Sequence, residues 1–347
     1  MLSIENLSKS WAEFSIKEIN LDIGEQEYFV ILGPTGAGKT LLLELIAGFH
    51  QPEEGLIKVN NREITQLPPE EREIGFVYQD YSLFPHLTVK ENMEFGLKLR
   101  GDSSKIGENT HRIMDLLEIS HLANRYPRTL SGGEQQKTAL ARTLVLDPKV
   151  LLLDEPLSAL DAPTQERMRI ELKNIHRKTG VTTIHVTHNR EEASLLGEEI
   201  GVMHNGQIIQ VGKPDEIFRK PKSEFIADFV GAENIFDGES RVEEGTAKIN
   251  IGNNVEIVGV SERSGKVKAC IRPEEIIISK KTVKSSGRNL LKGEISEILD
   301  QGATVKLNVD VGREFSVVIT KKSYQDMGLE VGEKVYLAFK ASSVHVI

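Results

Sequence analysis

The chain is 347 residues long, 39% hydrophobic and 27% charged, with a formal net charge of −9 at pH 7. That length exceeds what one core usually holds, so two domains are expected, and the acidic balance argues against a general affinity for nucleic acid or anionic lipid. The single cysteine, Cys270, excludes an internal disulfide framework, the opening MLSIENLSKS alternates like a strand rather than reading as a signal peptide, and no apolar run is long enough to cross a bilayer; a cytoplasmic location is expected.

In chain order, EYFVILG (27–33) reads as a buried strand, followed by a glycine-rich loop and a Leu-rich helix over Lys39 to Gly48. REIGFVYQ (72–79), KVLLLDEP (149–156) and VTTIHVTH (181–188) are further short β-rich runs, each ending in polar residues. Helices are predicted over Val89 to Leu99, His111 to Glu118, Gly132 to Leu146 and Pro163 to Thr179, the last with Asp161 near its cap. The alternation predicts an α/β domain with a parallel core. After KPKSEFIADFVGAENIF (220–236) the helical period gives way to Val/Ile-rich strands broken by Gly, Asn and Ser. We place the boundary between residues 231 and 232, with a small all-β, OB-like barrel to follow.

Gly33 to Thr40, GPTGAGKT, fits the pattern G-x-x-x-x-G-K-T between a strand and a helix. Gly33, Gly36 and Gly38, with Pro34, Thr35 and Ala37 between them, let backbone amides wrap a phosphate; Lys39 reaches its terminal oxygens and Thr40 can ligate Mg²⁺. At the end of the strand Val150 to Leu153, Asp154 can orient Mg²⁺ while Glu155 takes a proton from an attacking water. A second glycine turn, LSGGEQQK (130–137), feeds a helix but has no lysine inside the turn. Its Ser131 and Glu134 make a capping box, so helix punctuation alone accounts for them; as an anion cradle, the turn is poorly placed to reach the nucleotide of its own Lys39.

With these motifs in this order, residues 1 to about 230 resemble the nucleotide-binding subunits of ABC transporters, with a helical subdomain over about 88–146. The resemblance implies that two chains sandwich two ATP molecules, each between Gly33 to Thr40 of one copy and Ser131, Gly132 and Gly133 of the other. It further implies that Trp11 stacks on adenine, that Gln79 touches Mg²⁺ and the attacking water, that His188 contacts the γ-phosphate, and that Asp161 of SALD (158–161) lies where protomers communicate. Tyr81 to Leu99, with Leu83, Phe84, Pro85 and Leu87, would pass motion to two membrane permease subunits, which an extracytoplasmic oxyanion-binding protein serves indirectly. Glu134 and Lys137 depart from the commoner Gln and Arg. CIRPEEIIIS (270–279) resembles the β-domains of importer ATPases, and residues 285–347, with SSGRNLLKGEI and a tail containing KASS, resemble molybdate-binding molbindins, although Gly287 replaces the usual alanine. That implies an importer of molybdate or tungstate whose C-terminal domain binds the oxyanion through Ser285, Ser286, Arg288, Asn289, Lys340, Ser342 and Ser343 and restrains transport. A sulfate, sugar or polyamine importer with a non-sensing C-terminal domain shares everything before residue 232. A DNA-repair or translation ATPase would need an inserted coiled coil, a second cassette or a basic surface, and no nucleic-acid partner is expected.

Overall fold

Where side chains alternate, the first strands pair antiparallel; where they are apolar throughout, a strand is buried on both faces. The computed structural model describes residues 2–101, 106–243, 245–282 and 288–347. Its first strands, β1 (Leu2–Ser10) and β2 (Ser15–Ile23), alternate, whereas every residue of β3 (Tyr28–Leu32) is buried. There follow α1 (Lys39–Ala47), β4 (Glu54–Val59), β5 (Arg62–Glu63), β6 (Ile74–Val77), α2 (Val89–Leu99), α3 (Ile106–Leu116), α4 (Gly132–Leu144), β7 (Val150–Asp154), α5 (Ala162–Thr179), β8 (Thr182–Thr187), α6 (Arg190–Leu196), β9 (Glu199–His204) and β10 (Gln207–Gly212).

Two sheets result. One is antiparallel, ordered β2-β1-β4-β5; the other is ordered β10-β9-β3-β8-β7-β6 and is parallel except for its edge strand β10. Leu2, Ile4 and Ile57 from the first sheet share a core with Leu42, Leu43 and Ile46 of α1 and with Ile31, Leu152 and Ile184 of the second. The C-terminal ends of β3, β7 and β8 lie side by side, where an open α/β sheet gathers ligands.

The contacts divide the chain after Pro214, ahead of the expected boundary at 231/232. The physical reason lies in α7 (Pro214–Arg219) and α8 (Glu224–Phe229): Ala227 of α8 packs with Ala232 and Cys270, and the Arg272 guanidinium donates to Phe218 O. The second unit continues through β11 (Asn234–Glu243), β12 (Thr246–Asn250), β13 (Glu256–Gly259), β14 (Gly265–Ile271), β15 (Ile277–Ser279), β16 (Asn289–Asp300), β17 (Thr304–Asp310), β18 (Glu314–Thr320), α9 (Lys321–Met327), β19 (Lys334–Phe339) and β20 (His345–Val346). These strands form two five-stranded antiparallel sheets, β13-β12-β11-β14-β20 and β15-β19-β16-β17-β18, around one core containing Phe236, Phe315 and Phe339. The first unit is α/β and the second is built mainly of antiparallel strands, as expected.

Candidate functional site

The loop between β3 and α1 has little steric choice. A Cβ on Gly33 would lie 2.3 Å from Met203 O, and Gly38, at φ 99°, caps α1 with no side-chain hydrogen bond of its own. The first-turn amides of α1 therefore have no side-chain cap, an arrangement suited to an anion. Lys39 is buried; its Nζ donates to Gly33 O (2.9 Å) and Pro34 O (3.0 Å) and lies 3.5 Å from Glu155 Oε1. Burial holds its pKa below the ordinary lysine value, against the opposite pull of Glu155.

β7 carries the acids to the same place. The Thr40 hydroxyl donates to Asp154 Oδ1 at 3.0 Å, and burial raises the Asp154 carboxyl above its ordinary value despite that hydrogen bond. A buried carboxyl lacking sufficient countercharge, beside a hydroxyl oxygen, fits a hard divalent cation. Glu155 sits at φ 41°, a left-handed conformation that costs energy in a non-glycine residue and that clusters at active sites. Its N–H donates to Val186 O, and its Oε2 lies 3.0 Å from Nδ1 of His188, just past the end of β8. Thr35, Gly36, Gly38, Lys39, Thr40, Gln79 and Glu155 line one cleft of about 560 Å³.

Ser131, Gly132 and Gly133 line a different cleft, together with Asp161, and the two clefts have no lining residue in common. Both capping readings hold locally. The Ser131 hydroxyl accepts from Glu134 N–H and the Glu134 carboxylate accepts from Ser131 N–H (2.7 Å), which holds the Glu134 pKa below its ordinary value; Asp161 accepts from Thr164 N–H at the start of α5. Lys137 pairs with Glu171.

Trp11 does not line the Lys39 cleft. It borders a neighbouring hollow, with His50 edge-on to its ring and the Lys9 ammonium 5.5 Å from its centre. Phe14 lines both spaces and lies against Gly38, whose added Cβ would come within 2.6 Å of the Phe14 ring. Sequence reasoning passed over Phe14, because a lone aromatic in a loop carries no periodic signal. After Gln79, the chain turns through Tyr81 and Ser82, both at positive φ, and Arg142 of α4 donates to both their carbonyls. Leu83, Phe84 and Leu87 are half-buried and Pro85 is exposed; the Phe84 ring packs on Phe95 and also meets the Arg142 guanidinium.

In the second unit, Asn289 pairs with Phe339 across β16 and β19, so Arg288 and the Lys340 to Ser343 turn lie at the same end of that ladder. Ser285 and Ser286 lie outside the described residues. Asn289 is buried; its Oδ1 accepts from Val258 N–H (2.6 Å) and its Nδ2 donates to Val258 O (2.9 Å), so the amide braces β16 to β13. The Arg288 guanidinium donates to the Thr246 hydroxyl, while Lys340 and Ser342 are exposed.

Comparison with known proteins shows the family. Residues 16–158 match the ABC transporter family and residues 285–346 match the TOBE domain. The chain is 44% identical, over all of both chains, to the molybdate/tungstate import ATP-binding protein WtpC of Pyrococcus abyssi (strain GE5 / Orsay). It is 38% identical to the sulfate/thiosulfate import ATP-binding protein CysA of Thermosynechococcus vestitus (strain NIES-2133 / IAM M-273 / BP-1), over 97% of this chain and 95% of that one. Among solved structures, a dimeric ATP-binding cassette in a post-hydrolysis state, bound to ADP and Pi, is similar with a TM-score of 0.54 and 32% identity, covering 62% of this chain and 99% of the other.

Proposed function

The chain belongs to the ATP-binding proteins of ABC importers, of the molybdate/tungstate type with a C-terminal TOBE domain, and on that premise we propose that it hydrolyses ATP at Lys39 and Glu155 to drive uptake of molybdate or tungstate. The observation that carries the site assignment is the convergence of Lys39, Thr40, Asp154, Glu155 and His188 at the ends of adjacent strands. The amides at the start of α1 and the Lys39 ammonium bind the nucleotide phosphates. Thr40, Asp154 and Gln79 hold Mg²⁺, which neutralises phosphate charge when bound. Lys39 lies 3.5 Å from Glu155; with the ammonium held by phosphate, the Glu155 carboxylate accepts a proton from the attacking water. His188, hydrogen-bonded to Glu155, orients that carboxylate and reaches the γ-phosphate. Trp11 supports the adenine from the adjoining hollow.

The separation of the two clefts supports a homodimer in which Ser131, Gly132, Gly133 and Asp161 of one copy close over the nucleotide on Lys39 of its partner. Arg142 ties α4, the helix that Ser131 begins, to the Tyr81 and Ser82 carbonyls. That link carries closure into the Tyr81 to Leu99 segment and on to two permease subunits at the cytoplasmic face of the membrane, which receive the anion from an extracytoplasmic binding protein. The C-terminal unit binds the same oxyanion at the ladder end that carries Arg288, Lys340, Ser342 and Ser343, and there restrains hydrolysis. A differential affinity of about 100-fold between open and closed dimers shifts their balance by roughly 2.7 kcal/mol. The test is ATP turnover by the transporter in vesicles as internal molybdate, tungstate or sulfate is raised. Inhibition by molybdate or tungstate alone, lost on truncation after Gly231, supports the reading; a flat response, or inhibition that survives truncation, contradicts the sensing role.

A further inference from the structure

We infer that Glu192 is a positioning residue that keeps His188 within reach of Glu155, acting through the Thr187 hydroxyl from beneath the turn between β8 and α6; the inference rests on the proposed hydrolytic role of that pair. His188 is exposed, and its ring makes a 3.0 Å hydrogen bond with Glu155. The ring's place is therefore set largely by the backbone that carries it. The residues on either side of His188 are clamped by one hydroxyl: Thr187 Oγ1 donates to Glu192 Oε2 at 2.7 Å and accepts from Asn189 N–H at 3.0 Å.

Glu192 is not needed as the cap of α6. Asn189 Oδ1 already accepts from the N–H groups of Glu191 and Glu192. Glu191 points outward to Arg169, whereas the Glu192 side chain turns inward and is 5% exposed. Its other neighbour there is His185, wholly buried on β8, whose Nε2 lies 3.4 Å from the carboxylate, while Nδ1 meets the Tyr28 hydroxyl of β3 at 2.9 Å. Burial alone would push the Glu192 carboxyl up, but His185, Thr187 and Arg169 together hold it below its ordinary value. Ionised, it has no proton to give Thr187, so the hydroxyl proton is committed to Glu192 and the hydroxyl lone pairs to Asn189. A buried carboxylate is costly, and this one fixes the direction of a hydroxyl that fixes the turn.

The test is phosphate release by the full-length chain at varied Mg·ATP. Glu192→Ala should lower kcat by about 10 to 100-fold while KM stays within about 3-fold, as expected for a displaced reacting group. Glu192→Gln keeps an oxygen that accepts from Thr187 and should recover most of the loss; Thr187→Val should mimic Glu192→Ala, and Thr187→Ser should not. In a His188→Ala background, Glu192→Ala should cost less than about 2-fold, because its effect passes through the missing ring. Losses that multiply in that background, or turnover in Glu192→Ala and Thr187→Val equal to the unmodified chain, would overturn the inference. If Glu192→Ala does not fold, the Thr187 pair carries the same comparison. Turnover surviving in Glu155→Gln would instead bring down the hydrolytic reading, so the two failures are distinguishable.

Discussion

Asp154 and Glu155 are adjacent carboxyls in different surroundings. Glu155 faces Lys39 and His188 at the cleft, so Glu155→Gln should retain nucleotide binding and lower turnover by about 10² to 10⁴-fold. Phosphate release beside a nucleotide-binding isotherm checks this; near-normal turnover would reject the role. Asp154 is buried beside Thr40, with its pKa raised. A carboxyl whose folded pKa is raised contributes stability below its unfolded pKa, and that contribution is lost as pH rises through the folded value. In the absence of Mg²⁺, Asp154→Asn should therefore raise the thermal midpoint relative to the unmodified chain near neutral pH, and the gain should shrink as the solution is acidified through the raised folded value and be gone below the ordinary aspartate value. Thermal melts across that pH range decide it; a variant less stable than the parent at neutral pH would contradict the sign. Adding Mg²⁺ and nucleotide should stabilise the parent more than the variant.

Elements hold these side chains in place, and α1 is held by a residue far from the chemistry. Its C-terminal carbonyls at Leu45 and Ile46 accept from Arg72, whose guanidinium also donates to Thr65 O and Leu67 O while being 1% exposed. A cation at a helix C-terminus is favourable, and this one serves four carbonyls, those of Leu45, Ile46 and Thr65 buried, without a carboxylate partner in its hydrogen bonds. Arg72→Met should cost at least about 3 kcal/mol, since each buried group left unsatisfied costs ~1–3 kcal/mol. A urea titration with unchanged slope and a lowered midpoint would bear this out, and a loss under 1 kcal/mol would count against it. Arg72 also marks a limit of sequence reading: in REIGFVYQ it reads as the polar lead of a strand, and nothing local says that Leu45 and Thr65 will claim it. The strand-loop-helix order around Lys39, the buried run of β7 and the caps of α4 and α5 were legible because they are local: continuous apolar runs, glycine, and Ser or Asp three residues before the bonded amide. The pairing of β1 with β4, the contact of Phe14 with Gly38 and the capture of Asn289 by Val258 join distant residues, and no periodicity encodes them. Helix α9 has seven residues, too few for a period, and only its Thr320 and Gly328 caps announce it.

At the scale of the whole molecule, the proposed hydrolysis takes two copies. One chain presents the Lys39 cleft and the Ser131 cleft as separate surfaces, and a glycine turn with no lysine becomes intelligible as half of a site that another copy completes. The chain is well suited to a direct test, because its only cysteine, Cys270, is 3% exposed with its thiol pushed up to about 12, which leaves little reactive thiolate near neutral pH. The measurement is disulfide crosslinking in a mixture of two full-length single variants, Thr35→Cys and Ser131→Cys, both carrying Glu155→Gln to hold the closed state. The account predicts a crosslinked dimer joining the two variants, formed when ATP and Mg²⁺ are added and absent without them. A crosslink yield indifferent to ATP, or a double Cys variant that closes its disulfide within one chain, would contradict it.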